Sequence, residues 1–127
     1  MAFLGEYLAV ASGGAVGAML RYGATATLDG VLPRAFPWGT LAVNVLGSLL
    51  MGVVFVLLVE RSLPDSHLRL FFGVGLLGAF TTFSAFSLDT LALIETGASA
   101  QAAVYVLASV TACLLAALTG ILITRSF

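Results

Sequence analysis

The sequence predicts an all-α membrane protein with four transmembrane helices, and three observations point there. Hydrophobic residues make up 61% of the 127 residues, charged residues only 9%, and mean hydropathy is +1.15, outside the range of soluble domains. Four apolar stretches are each long enough for the ~20 residues that cross a bilayer core. All three prolines fall between these stretches, where a missing backbone N–H does no harm to a helix. The chain reads as a single four-span domain with no length left for a separate soluble domain.

The first span is expected at 4–27. Glu6 precedes any basic residue, the first being Arg21, so the stretch lacks the basic leader of a signal peptide and is expected to be retained. Gly13 and Gly17, four apart, allow a second helix to approach closely, within one subunit or between two. A connection with Asp29, Gly30, Pro33, Arg34 and Pro37 leads to the second span at 38–59, which carries Asn44 and the small pair Ser48 and Gly52. Glu60, Arg61, Pro64, Asp65, His67 and Arg69 form the next connection.

The third span, expected at 70–93, holds the most informative segment. Its middle reads Gly78-Ala79-Phe80-Thr81-Thr82-Phe83-Ser84-Ala85-Phe86-Ser87, glycine, hydroxyls and aromatics where lipid-compatible helix would be expected, so the helix is predicted to break at mid-membrane. Non-helical backbone at that depth survives only when buried in protein or lining a polar cavity. Discontinuous spans of this kind hold ions or substrates. A short connection with Glu95 and Gly97 precedes the fourth span at 98–124.

Charge restricts both partners and topology. A net charge of -1, no lysine and five scattered arginines leave no basic stripe for nucleic acid. Four spans place both termini on one side; Arg61, Arg69 and Arg125 share it, against Arg21 and Arg34 opposite. Because arginine asymmetry sets orientation, so small a bias suggests insertion both ways and an antiparallel, dual-topology homodimer; uniform orientation is the alternative.

Catalytic chemistry finds few groups. His67 is the only histidine and Cys113 the only cysteine, so neither a histidine- or thiolate-ligated metal site nor an intrachain disulfide is available, and no span has a carboxylate near its centre. An enzyme is not expected. The remaining polar residues are neutral. Asn44 either bridges helices or offers N–H donors to an anion. Tyr105, Ser109 and Cys113 share one helix face, as a polar track or as hydroxyls bonded back to their own helix. Phe83 and Phe86, three apart, either pack in core and lipid or turn their positive ring edges toward an anion.

These residues together resemble the Fluc (CrcB-type) fluoride channels. The resemblance is carried by Gly13-Gly14-Ala15-Val16-Gly17-Ala18-Met19-Leu20-Arg21-Tyr22, by Thr40-Leu41-Ala42-Val43-Asn44-Val45-Leu46-Gly47-Ser48 and by the third-span run above, and in length and motif order it covers essentially the whole chain. It implies a dual-topology homodimer in the cell inner (plasma) membrane enclosing two fluoride pores, passing fluoride passively down its gradient and protecting the cell from fluoride toxicity. Asn44, Phe83 and Phe86 match the family's pore-lining positions; Thr82, Tyr105 and Ser109 match its polar track, and Arg21 would stand at the vestibule. A structural sodium ion would lie at the dimer centre, held by the backbone carbonyls of Gly78 and Thr81. Ala85 and Cys113 depart from the pattern, which usually has hydroxyl residues there. A four-span multidrug or cation antiporter is the alternative; it needs a membrane-embedded carboxylate, for which Glu6 is the only first-span candidate.

Overall fold

The computed structural model describes residues 2–61 and 65–127. All regular structure among them is helical: α1 (Ala2–Val31), α2 (Trp38–Glu60), α3 (66–80), α4 (Phe83–Glu95) and α5 (Ser99–Arg125). Helices α3 and α4 together make the third of four helical spans, so the protein is a multi-pass membrane protein. No more than 28% of the most apolar window of any span is buried inside the chain. Most of that apolar surface must therefore meet lipid or another protein surface.

Helix ends follow local chemistry. Helix α1 runs past 27 through Asp29 and Gly30, closing with Leu32 N–H donating to the Leu28 carbonyl at 2.8 Å before Pro33, which disfavours helical backbone in the residue preceding it. Asp65 caps α3, its Oδ1 accepting from His67 N–H at 2.9 Å, so His67 and Arg69 lie in the first turn of a helix rather than in a loop. Pro64 lies outside the described residues. Gly97, at φ +81°, closes α4: its N–H donates to Ile94 and that of Ala98 to Leu93, the paired bonds of a left-handed helix stop.

Two helix pairs dominate the packing, α2 with α5 and α1 with α3. Glycines permit both approaches. A Cβ on Gly52 would overlap the Ala117 carbonyl and one on Gly120 the Leu49 carbonyl; one on Gly13 or Gly17 would overlap the Phe71 or Leu76 carbonyl. Gly13, Gly17 and Gly52 therefore serve contacts within the chain. The ends of α2 and α5 are joined by the Glu60–Arg125 ion pair. Val43, Val56, Leu77 and Tyr105 are the largest fully buried side chains, and Val43 and Tyr105 lie on the two helices that flank the candidate site.

Candidate ion pathway

Between α3 and α4 the backbone of Thr81 (φ -85°, ψ 157°) and Thr82 (φ -152°, ψ 113°) is extended. Asn44, from α2, holds Thr82 by both backbone groups: Thr82 N–H donates to Asn44 Oδ1 at 2.7 Å, and Asn44 Nδ2 donates to the Thr82 carbonyl at 3.0 Å. The Thr82 hydroxyl accepts from Ala85 N–H at 3.1 Å and so caps α4. Gly47, one turn beyond Asn44, leaves the space that Thr81 and the Phe80 ring occupy, and a Cβ there would overlap Thr81 Cγ2.

These bonds redirect two amides. In a continuous helix Thr82 N–H would bond the Gly78 carbonyl and Ala85 N–H the Thr81 carbonyl. Here they go to Asn44 and to the Thr82 hydroxyl. The carbonyls of Gly78 and Thr81 thus lose their ordinary helical donors, while Leu77 accepts from both the N–H and the hydroxyl of Thr81.

A cavity of about 400 Å³ opens beside this segment, lined by Asn44, Thr81, Thr82, Phe83, Phe86 and Ser109, with Gly47, Ser48, Met51 and Cys113 also in its wall. Five of the sequence-predicted pathway residues thus meet at one groove. Phe83 is 77% exposed and its ring centroid lies 5.3 Å from that of Phe86. Ser109 is only 6% exposed, yet its buried Oγ has no hydrogen-bond partner among the described residues. Asn44 commits one of its N–H donors to Thr82, which leaves one for a ligand.

Tyr105 does not line the groove; it stands behind it. Fully buried, it packs on Phe86 at 5.2 Å and edge-on to Phe36 at 5.4 Å, and its hydroxyl lies 3.3 Å from Asp89 Oδ2. Phe36 and Asp89 line a second cavity of about 710 Å³, bounded by the end of α1, the 32–38 connection, α4 and the start of α5. Tyr105 therefore separates this outer cavity from the groove. Arg21 lines neither cavity, and Gly78 lies outside both.

Asp89 and Gly47 are residues that the sequence reading left unassigned. Asp89 follows Phe83 and Phe86 at three-residue steps, a spacing that continues one helix face and could have drawn it in. Gly47 carried no such signal, because its role depends on a neighbour far away in sequence.

The family profile described as CrcB-like protein, Camphor Resistance (CrcB), matches residues 8–121, which include every residue of this groove. The chain belongs to the CrcB family. Among its relatives, a protein of Magnetococcus marinus named fluoride-specific ion channel FluC is 48% identical over 91% of this chain and 94% of its own length. One from Thermus thermophilus with the same name is 48% identical over 91% and 90%, and one from Geobacter sulfurreducens is 45% identical over 93% and 95%. With these relatives the similarity runs nearly end to end.

Proposed function

We propose that this CrcB-family chain is a fluoride-selective channel that lets fluoride leave the cell passively through the inner (plasma) membrane and so protects against its toxicity. The relatives' shared name supports the ion, and the groove supports the chemistry. The observation that carries the reading is a neutral, donor-bearing aromatic groove. Among the described residues its wall contains no charged side chain, but has the Asn44 amide, the unpartnered Ser109 hydroxyl and the rings of Phe83 and Phe86.

Fluoride is small and strongly hydrated, so a pathway must replace lost water with donors and positive ring edges, yet release the ion again. Fixed positive charge would hold it. Asn44, Thr82, Ser109, Phe83 and Phe86 form the route, Tyr105 with its hydroxyl controls passage to the outer cavity, and Arg21 raises anion concentration at a vestibule. A cation antiporter would need a carboxylate in the groove, and its lining has none among the described residues.

Two copies in opposite orientation form the channel, consistent with the near balance of Arg61, Arg69 and Arg125 against Arg21 and Arg34. The groove, open along one side of the chain, is closed by the second copy. At the centre, the carbonyls of Gly78 and Thr81 from both subunits supply four oxygens to a dehydrated sodium ion. Their partial negative charge suits a cation and repels the transported anion. Expression in cells that lack their own fluoride exporter tests the protective role: growth in fluoride-containing medium should be restored, and failure with full membrane expression would contradict the proposal.

A further inference from the structure

We propose that Cys113 is a thiol-modification site within the groove, open to small neutral thiol-directed electrophiles, and that an adduct there closes the route. The closing effect rests on the channel reading; the modification site does not. Cys113 is the only cysteine of the chain, is free and half-buried, and lines the groove one helical turn after Ser109.

Ser109 is the independent observation that makes this part of the groove a ligand space. The hydroxyls of Ser87, Thr90, Thr119 and Thr124 each bond back to the carbonyl four residues earlier, at 2.7 to 2.9 Å. Ser109, on the same helix as the last two, makes no such bond and is left without a partner in a buried position on the groove wall. A buried polar atom in this state calls for a water or a bound ligand. Cys113, one turn away, lines the same groove and is not fully buried, so a small reagent that enters the groove reaches it. Across the groove, Met51, Phe83 and Phe86 offer apolar surface to the alkyl part of a reagent.

With methyl methanethiosulfonate as probe, the Cys113 thiol gives its proton to water and the thiolate attacks the sulfur bonded to methyl. A disulfide forms, the bond to the sulfonyl group breaks, and methanesulfinate leaves with the electron pair. The product replaces a weak donor by an apolar methylthio group next to Ser109. Loss of one donor to the permeating ion predicts a fall in fluoride efflux of about tenfold.

The experiment uses the full chain in liposomes and reads labelling by intact mass and efflux by a fluoride electrode, each form compared with its own untreated rate. Cys113 should gain one methylthio group, efflux should fall, and dithiothreitol should reverse both. Cys113→Ser should show neither change, and Leu115→Cys in that background, exposed outside the groove, should label more slowly. Absence of labelling, or labelling no faster than at position 115, would overturn the site; full efflux after complete labelling would overturn the closing effect. Untreated protein that passes no fluoride while Cys113 still labels would remove the channel reading and leave the site standing.

Discussion

Asn44 joins two roles in one side chain: its oxygen and one N–H clasp Thr82, and its second N–H is left uncommitted on a residue that lines the groove. Asn44→Asp keeps the shape but loses the donor to the Thr82 carbonyl and sets a carboxylate against that oxygen and against the anion route. The expected result is loss of fluoride efflux with destabilisation of about 1–3 kcal/mol, read as a lower melting temperature in detergent. Wild-type efflux and melting together would show that the clasp is dispensable. The rings make a separate prediction. Phe83→Ile and Phe86→Ile remove the quadrupole while keeping bulk, so efflux should fall by about tenfold in each; normal conduction by properly folded protein would remove these rings from the pathway. The sequence made this cast of residues legible because their chemistry is local and unusual for a membrane. It could not disclose how Asn44 is used, since its partner lies 38 positions away. Asp89 was overlooked for a related reason: only the fold brings Tyr105, 16 residues on, to meet it.

At the scale of elements, the segment between α3 and α4 depends on Gly47 and on the Thr82 cap. Gly47→Ala would force Thr81 and Phe80 aside at a cost of about 1–3 kcal/mol, whereas Gly23→Ala, with open space around it, should be tolerated. Equal stability of the two variants would mean that the close approach at Gly47 carries no strain. If the freed carbonyls of Gly78 and Thr81 hold sodium, rigorous removal of sodium from both sides of the membrane should abolish fluoride efflux without any sodium gradient being involved. Undiminished flux would contradict that assignment. The four helical spans could be read directly from the lengths of the apolar runs, because a bilayer sets a minimum length. Helix ends could not, since Asp29, Gly30 and His67 look like loop residues and become helical through backbone closure at Leu32 and the Asp65 cap.

The whole molecule presents far more apolar surface than its own small core can cover, and the groove is open along one side. If two copies assemble antiparallel as proposed, a tag on the C-terminus should be reachable from both faces of sealed vesicles; labelling from one face alone would rule out the two-way insertion inferred from the arginine balance. In the proposed pathway, selectivity would follow from the wall of the groove, whose neutral donors and rings would replace water around a small anion. The measurement that bears most directly on this account is anion efflux from liposomes containing the purified protein, with fluoride and chloride electrodes read side by side. Rapid fluoride release with chloride retained is the predicted result, and equal release of the two ions, or of neither, would contradict it.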